Sequence, residues 1–124
     1  MLLLAHKSME IYAIGKDLVS AIYELTEKYP KEEKYGLVSQ LRRAVISICS
    51  NLAEGSSRFS KAERKRFYEI ARGSVVEIDT QLDISVLLGY TTKEALVGIE
   101  PKLESVFKML SKMITTLSTN SNNE

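Results

Sequence analysis

The chain contains four stretches in which apolar residues recur at every third or fourth position, which is the spacing of one face of an α-helix. Pro30 follows the first stretch, Gly55 the second and Gly89 the third, and these residue types commonly end helices. We therefore predict one domain over residues 1–118 and a frayed polar tail at 119–124. The predicted helices lie at about 8–29, 37–54, 61–88 and 93–118.

Local signals refine the last two helices. Ser60 and Glu63 match a capping box, in which each side chain satisfies an unpaired amide at a helix start, so helix 3 is predicted to begin near Lys61. Pro101 lacks an amide donor and crowds the preceding turn, which predicts a kink or a broken first segment in helix 4. The predicted inward face of helix 3 comprises Phe67, Ile70, Ala71, Ser74, Ile78, Leu82 and Ser85.

Four amphipathic helices with short connections favour an all-α fold, an antiparallel up-down-up-down four-helix bundle. Two of the helices carry further apolar residues away from the main apolar face, although a single bundle needs only one such face per helix. This surplus predicts a homo-oligomer, and scattered apolar residues on a monomer are the alternative. The surplus residues are Tyr12, Val19 and Tyr23 in helix 1, and Val38, Ile46, Cys49 and Ala53 in helix 2.

Composition narrows the class of protein. Of the 124 residues, 44% are apolar and 27% charged, which is typical of a folded helical domain. Cys49 is the only cysteine, so the chain forms no internal disulfide and needs no oxidising compartment. The opening "MLLLAHK" is much shorter than a signal-peptide core or a membrane span. We expect a cytoplasmic protein that does not associate with membranes.

The formal charge of +1 hides an uneven distribution. Residues 42–72 include eight basic residues and three acidic ones, a local net charge of +5, whereas the rest of the chain carries −4. Such polarity can steer a polyanion to one end of the protein, and ordinary helix-surface chemistry is the alternative. The candidate nucleic-acid-binding residues are Arg42, Arg43, Arg58, Lys61, Arg64, Lys65, Arg66 and Arg72.

Placing helices 2 and 3 as a hairpin that turns near Ser57 predicts further contacts. Glu54 is expected within reach of Lys61 or Arg64, and Arg43 at the level of Arg72. Short polar side chains on the two helices are expected to join them by hydrogen bonds, in preference to contacting a ligand. This predicted polar seam comprises Ser47, Asn51, Glu54, Ser74 and Gln81.

Catalytic chemistry is poorly supported. His6 is the only histidine, so a di-iron site of the Glu-x-x-His type is excluded, and Cys49 has no histidine to act as its base. The glycines are isolated from one another, so no phosphate-binding loop is present. We expect no enzyme activity, cofactor or metal. A Mg²⁺ site at Glu77, Asp79 and Asp83 is a remote alternative.

The basic residues predict binding to RNA or DNA that is sensitive to salt and largely independent of sequence, because Lys and Arg neutralise phosphates without reading bases. Phe59 and Tyr68 lie among the charges and can stack on unpaired bases, or else pack within the hairpin. The alternative from another class is a protein-interaction scaffold whose basic end docks an acidic partner and binds no nucleic acid.

The segment "QLRRAVISICSNLAEGSSRFSKAERKRFYEIARGSVVEIDTQLDISVLLGY", residues 40–90, resembles a bacterial four-helix-bundle family named for proteins encoded in intervening sequences of 23S ribosomal RNA genes, also labelled S23-like. The resemblance extends over roughly residues 8–118. Its recurring pattern matches Arg42, Arg43, Ala44, Ser47, Ile48, Ser50, Asn51, Ala53, Glu54, Gly55, Arg58, Ser60, Phe67, Ala71, Arg72, Gly73, Ser74, Glu77, Gln81 and Leu82.

This resemblance implies a homopentamer, similar to the accessory protein of diversity-generating retroelements, whose basic surface binds nucleic acid alongside a reverse transcriptase. It implies no catalytic activity. Two departures from the family pattern stand out: Cys49 replaces a proline often found in helix 2, and Pro101 makes helix 4 atypical.

Overall fold

A computed structural model describes residues 1–123 of the chain, and the side chains of residues 1–118. The predicted frayed tail at 119–124 lies outside the residues whose side chains are described. Within the described part the fold is all-α with four helices and no strand, which confirms the predicted class. Short 3₁₀ turns lie at Ala5–Ser8, Lys31–Glu33 and Glu94–Leu96. The helices are α1 (Glu10–Thr26), α2 (Leu37–Ser56), α3 (Lys61–Leu87) and α4 (Glu100–Asn123).

Each helix packs against two others: α1 against α2 and α4, and α3 against α2 and α4. The contacts between α2 and α3 give their register. Ser56, at the end of α2, shares a 3.0 Å hydrogen bond with the Tyr68 hydroxyl, and Gln40, near the start of α2, accepts one of 3.0 Å from Gln81. Residue numbers thus rise along α2 as they fall along α3, and the contacts are those of a bundle.

One apolar core joins all four helices, and its largest fully buried side chains are Leu18, Ile22, Leu41, Ile48, Leu52, Ile78 and Leu110. The inward face predicted for α3 is wrong at Ile70, which is 42% exposed, whereas Tyr68 is only 6% exposed. Tyr68, Ala71 and Val75 continue the buried face in steps of three and four residues. Ile70 precedes Ala71, so it lies about 100° away around the helix.

Gly55 does not end α2 as predicted. The helix continues through Gly55 to Ser56, and Ser57 caps it. A Cβ atom at Gly55 would lie 2.6 Å from Cε1 of Tyr68, so this position lacks a side chain because α3 approaches it closely. Gly89 does end α3 as predicted, and its φ of 77° lies in the left-handed region that glycine adopts without strain.

The predicted broken first segment of helix 4 is confirmed. A separate 3₁₀ turn at Glu94–Leu96 precedes α4, and Pro101 occupies the first turn of α4, where a missing amide hydrogen breaks no intrahelical bond. Thr92 Oγ1 accepts a 3.2 Å hydrogen bond from the Ala95 amide at the start of that 3₁₀ turn. None of the helices in the described part of the chain is long and apolar enough to cross a membrane.

Candidate functional site

The bend between α2 and α3 is a short, hydrogen-bonded connection that leaves one aromatic ring in solvent. Ser57 closes α2 through its amide, which donates to the carbonyl oxygens of Ala53 and Glu54. Ser60 Oγ accepts a 3.3 Å hydrogen bond from the Glu63 amide, so Ser60 caps α3 as predicted. Phe59, between these two caps, is 100% exposed.

Two arginines are fixed in place at the bend. Arg58 pairs with Glu54 at 3.0 Å, and its guanidinium lies 5.0 Å from the centre of the Phe67 ring. Arg64 Nε donates a 2.6 Å hydrogen bond to the carbonyl oxygen of Arg58. Of the two partners expected for Glu54, Lys61 or Arg64, the structure contradicts Arg64: its Nε is bonded to the backbone of the bend, and Arg58, four residues from Glu54, forms the ion pair.

Lys65 and Arg66 follow Arg64 on the first two turns of α3. Lys65 is half-buried and Arg66 is exposed, and neither forms an ion pair with any residue whose side chain is described. Lys61 is half-buried at the first position of the helix. All three lie in the first two turns of α3, which begins two residues after the exposed Phe59.

Arg42 and Arg72 do not extend this basic surface, because each is held by a different neighbouring helix. Arg42 Nε donates a 2.9 Å hydrogen bond to Thr26 Oγ1 on α1, and its guanidinium lies 4.4 Å from the centre of the Tyr23 ring. It also forms a 3.2 Å ion pair with Glu27.

Arg72 turns to the opposite side and donates a 3.2 Å hydrogen bond to Ser111 Oγ on α4. Arg43 is exposed on α2. Arg43 does not lie at the level of Arg72 as expected, because Gln40 and Ser47, on either side of Arg43 along α2, face Gln81 and Ser74 of α3. The basic surface consists of the residues at the bend, with Arg43 separate from them on α2.

A polar seam joins α2 and α3 along their contact. Ser74 Oγ donates a 3.0 Å hydrogen bond to Ser47 Oγ, and Asn51 Nδ2 donates at 2.8 Å to the Ser47 carbonyl oxygen within α2. Gln81 Nε2 donates to Gln40 Oε1 at 3.0 Å. Sequence reasoning missed Gln40, although Gln40 lies seven residues before Ser47 and therefore on the same face of α2.

Glu54, which was predicted to belong to this seam, forms an ion pair with Arg58 at the bend. Glu77 instead joins it, by accepting a 3.1 Å hydrogen bond from Gln81 Nε2. Since these polar groups bond one another between the helices, the seam fixes the α2–α3 register and does not face a ligand.

Of the two aromatic residues that sequence reasoning left open, only one is available for stacking. The Tyr68 ring is buried and its hydroxyl is bonded to Ser56, so Tyr68 packs between α2 and α3. Phe59 is in solvent. On the far side of Tyr68, Lys112 of α4 lies with Arg64 along one shallow groove. Lys112 was missed because it lies far along the sequence, and the register of α3 against α4 brings it to the bend.

Most of the surplus apolar residues of helices 1 and 2 come together in a second place. We call it the α1–α2 groove, an open groove of about 490 Å³. Gly15 allows α1 to lie close to α2, since a Cβ there would be 3.0 Å from Cys49 Sγ. Burial raises the pKa of the Cys49 thiol. The groove is lined by Tyr12, Lys16, Val19, Ser20, Ile46, Cys49, Ser50 and Ala53.

Two of the surplus residues lie elsewhere: Val38 belongs to the core, and Tyr23 packs beneath the Arg42 guanidinium. Of the acidic residues of α3 that were considered for Mg²⁺, Glu77 is bonded to Gln81 and does not line the cleft that Asp79 and Asp83 share. No group of three or more His, Cys, Asp or Glu side chains among the described residues is arranged to hold a metal ion.

Comparison with known proteins gives one family. The model of the family described as "23S rRNA-intervening sequence protein" matches residues 7–112, which include α1, α2, α3 and the first half of α4. A search of curated proteins gives no match. The family match covers both the α2–α3 bend and the α1–α2 groove.

Proposed function

Because the chain belongs to the family of 23S rRNA-intervening sequence proteins, we propose that it is a non-enzymatic protein that binds RNA or DNA through the bend between α2 and α3. The family name associates these proteins with ribosomal RNA genes and is compatible with a nucleic-acid ligand. The proposed contacts are to phosphates and unpaired bases, so binding is largely independent of sequence.

The observation that carries this proposal is the fully exposed Phe59 ring, close along the chain to Lys65 and Arg66, which form no ion pair with any residue whose side chain is described. The exposed phenyl ring makes no apolar contact in the free protein, whereas it can stack on any base of a bound nucleic acid. Lys65 and Arg66 lie within two turns of it and can meet the phosphates on either side of that base. Arg58 and Arg64 hold the bend in shape and add to its positive potential.

We further propose that the helices form an antiparallel up-down-up-down bundle that assembles into a ring through the α1–α2 groove, with five subunits as the resemblance to the accessory protein of diversity-generating retroelements implies. Apolar residues of both helices line this groove, and burial against a second copy removes them from water. A ring repeats the bend once per subunit, so weak contacts at each bend add up to tight binding by avidity.

The proposed partners follow from the same picture. They are other copies of the chain, RNA or DNA in the cytoplasm and, by the resemblance to the accessory protein of diversity-generating retroelements, a nucleic-acid enzyme such as a reverse transcriptase. No cofactor or metal is part of the proposal.

The test compares two double variants with the same change in net charge. Lys65→Glu/Arg66→Glu removes the cations without partners beside Phe59. Lys28→Glu/Lys31→Glu makes the matched change in the α1–α2 connection, about 30 Å away because α2, with 20 residues, separates the two ends. Binding to single-stranded RNA and DNA is measured by fluorescence anisotropy at two salt concentrations.

The Lys65→Glu/Arg66→Glu variant should weaken binding to all sequences and reduce the slope of log affinity against log salt by about one per lost phosphate contact. The Lys28→Glu/Lys31→Glu control should keep most of the parent's affinity and most of its salt slope. Equal affinity of the parent and the Lys65→Glu/Arg66→Glu variant would contradict the proposal. It would favour the alternative that the basic end docks an acidic protein.

A further inference from the structure

The side of the bundle formed by α1 and α2 has two hollows that follow one another along the helices. The first is the α1–α2 groove, whose α2 wall is formed by residues 46–53. The second is an open hollow of about 360 Å³ where α1 ends and α2 begins, and its apolar lining residues are Tyr29, Pro30 and Val38. We call it the Val38 hollow. Both are open to solvent and lined in part by apolar residues, so each can receive an apolar side chain from another molecule.

Two exposed isoleucines lie on the side of α3 that adjoins α2. Ile70 is 42% exposed and Ile84 is 40% exposed. They are fourteen residues apart, which is nearly four helical turns, so they lie on the same side of the helix. Glu77, midway between them on this side, is bonded to Gln81, which donates to Gln40 of α2. Single exposed isoleucines are common, but these two are aligned and leave two apolar side chains without a partner within the chain.

Ile70 lies at the height of the α1–α2 groove along the bundle. Ser74 donates a 3.0 Å hydrogen bond to Ser47, which lies within the stretch 46–53 that forms the groove wall. Residue numbers fall along α3 as they rise along α2, and each helix rises by about 1.5 Å per residue. Ile70, four residues before Ser74, is therefore level with the position four residues after Ser47, which is inside the groove wall.

Ile84 lies at the height of the Val38 hollow. Gln81 donates a 3.0 Å hydrogen bond to Gln40, so these two residues are level with each other. Ile84 follows Gln81 by three residues, and Val38 precedes Gln40 by two, so the heights of Ile84 and Val38 differ by one residue, or about 1.5 Å. The two isoleucines are thus spaced along α3 as the two hollows are spaced along α2.

Closure of a ring restricts which sides of a subunit can meet. Each helix packs against two others, so the α1–α2 side adjoins the α2–α3 side and lies opposite the α3–α4 side. Contact between opposite sides stacks subunits in an open row, whereas contact between adjoining sides turns each subunit relative to the last and can close a ring.

The other adjoining side, formed by α1 and α4, offers less apolar surface. Among the residues whose side chains are described, α1 has no exposed large apolar residue. Phe107 is the one on α4, and it lines the groove between α3 and α4 instead. The α2–α3 side, with its two aligned isoleucines, is therefore the better match for the hollows.

We propose that Ile70 and Ile84 of one subunit enter the α1–α2 groove and the Val38 hollow of the next subunit. With the ring axis along the helices, rotation keeps every residue at its own height, so heights that match within one chain also match between neighbours. Each subunit then offers hollows on one side and isoleucines on the adjoining side, which is a head-to-tail contact. The inference rests on the ring of the proposed function and identifies the surface of the second copy that fills the groove.

A head-to-tail contact accounts for more of the surface than a contact between two identical grooves. A two-fold axis through the groove would cover the apolar residues of both grooves and would leave Ile70 and Ile84 in water. It would also end at two subunits. The head-to-tail contact removes the isoleucines and the apolar lining of both hollows from water together.

The test blocks each half of the contact separately. Ile46→Glu places a charge in the α1–α2 groove and leaves the isoleucines intact. Ile70→Glu/Ile84→Glu replaces the isoleucines and leaves both hollows intact. Val76→Glu/Val97→Glu is the control for the second variant, because it makes the same change in charge at residues that are 53% and 68% exposed and lie off the α2–α3 side.

All proteins are freed of nucleic acid, and sedimentation velocity gives their masses at about 0.5 M salt, where the Debye length falls to a few ångströms. The parent and the control should form the ring. Ile46→Glu and Ile70→Glu/Ile84→Glu should each be monomers, with association weakened about a hundredfold or more, because a charge would be buried in an apolar contact.

An equimolar mixture of these two variants should form heterodimers and nothing larger at high protein concentration. The isoleucines of the Ile46→Glu protein enter the hollows of the Ile70→Glu/Ile84→Glu protein, while the other two contact sides of the pair are blocked. This recovery also shows that both variants are folded.

Four results would overturn the pairing and leave the ring through the groove standing. They are assembly of Ile70→Glu/Ile84→Glu like the parent, dimers of either variant alone, a mixture that stays monomeric, and a control that dissociates as the isoleucine variant does. A monomeric parent, or an Ile46→Glu protein that assembles like the parent, would overturn the ring and the pairing together. The proposal of nucleic-acid binding is tested separately, because no nucleic acid takes part here.

Discussion

Phe59 helps to distinguish a basic surface that binds nucleic acid from one that only keeps the protein in solution. Cations on a helix surface are common, and most of them serve only solubility. A phenyl ring held entirely in solvent between two helix caps contributes no burial to the fold. Binding through stacking gives it a role, and that role can be tested separately from charge.

Phe59→Ala should weaken binding to single-stranded RNA or DNA by about 1–3 kcal/mol, the usual contribution of one base stacked on an aromatic ring. Binding to duplex should change little, since paired bases are not free to stack. The measurement is a titration of both ligands by fluorescence anisotropy. Tyr35→Ala is the matched control, because Tyr35 is an exposed aromatic residue at the other end of α2. Equal losses in the two variants would exclude stacking on Phe59.

Two glycines on neighbouring helices give opposite predictions for the same substitution. Gly55→Ala forces a methyl group against the Tyr68 ring and should lower the free energy of unfolding by about 1–3 kcal/mol. Gly73→Ala adds a methyl group where nothing outside the local helix backbone lies within 4 Å, and should raise the free energy of unfolding by about 0.5–1 kcal/mol because alanine favours the helix. Urea denaturation measures both. A stabilised Gly55→Ala protein would show that α3 does not pack closely on α2.

At the scale of the helices, the sequence correctly predicted helix positions and helix ends wherever a single local signal determines them. The periodic apolar residues placed all four helices, and Ser60 and Gly89 gave one start and one end because each acts through its own backbone geometry. Gly55 was misread since a glycine that ends a helix and one that admits a neighbouring ring look alike in a sequence. Only the position of Tyr68 across the bend tells them apart.

The predicted basic surface was too wide for a similar reason. The composition of residues 42–72 is basic, but Arg42 and Arg72 lie on opposite sides of the α2–α3 pair and each meets a different helix. Their partners, Thr26 and Ser111, are separated from them by 16 and 39 residues. A count of charges over residues 42–72 does not reveal these contacts. It also omits Lys112, because that residue belongs to α4.

The two connections at the end of the bundle opposite the bend are joined by a hydrogen bond that depends on pH. The Tyr90 hydroxyl donates to Glu33 Oε2 at 2.9 Å, and this bond to a carboxylate raises the pKa of Tyr90 above its ordinary value of 10.0. Below pH 10.0 the phenol is protonated in the folded and unfolded chain alike, so the bond contributes its full stability. As pH rises through the pKa of the folded state, this contribution is lost.

The parent should therefore unfold at a higher temperature than Tyr90→Phe at neutral pH, and the difference should shrink above pH 10.0. Thermal unfolding followed by circular dichroism at several pH values measures this difference. Tyr12→Phe is a useful control, because none of the described residues forms a hydrogen bond with its hydroxyl. A difference between parent and Tyr90→Phe that persists unchanged at high pH would show that the bond to Glu33 does not stabilise the fold.

At the scale of the whole molecule, the proposed function uses two surfaces with different partners. The bend is proposed to bind nucleic acid, and the α1–α2 groove is proposed to contact neighbouring subunits of a ring. Salt should therefore weaken the contacts at the bend and should affect the apolar groove much less.

Cys49 reports directly on the α1–α2 groove, because its thiol lines it. Burial raises the pKa of this thiol, so less thiolate is present near pH 8 and alkylation should be slow, rising with pH. Alkylation should also slow as protein concentration rises, because a neighbouring subunit covers the groove. Mass spectrometry of iodoacetamide-treated samples measures the rate. In the Ile46→Glu variant the rate should not depend on concentration, and such dependence there would place the subunit contact elsewhere.

The central claim is that the bend between α2 and α3 binds nucleic acid by charge. Its most direct test is the salt dependence of binding to one single-stranded RNA for the parent, for Lys65→Glu/Arg66→Glu and for Lys28→Glu/Lys31→Glu. The account predicts lower affinity and a shallower slope of log affinity against log salt for the bend variant alone. The claim would be contradicted if the three proteins gave the same plot of log affinity against log salt, or if the two variants lost the same affinity.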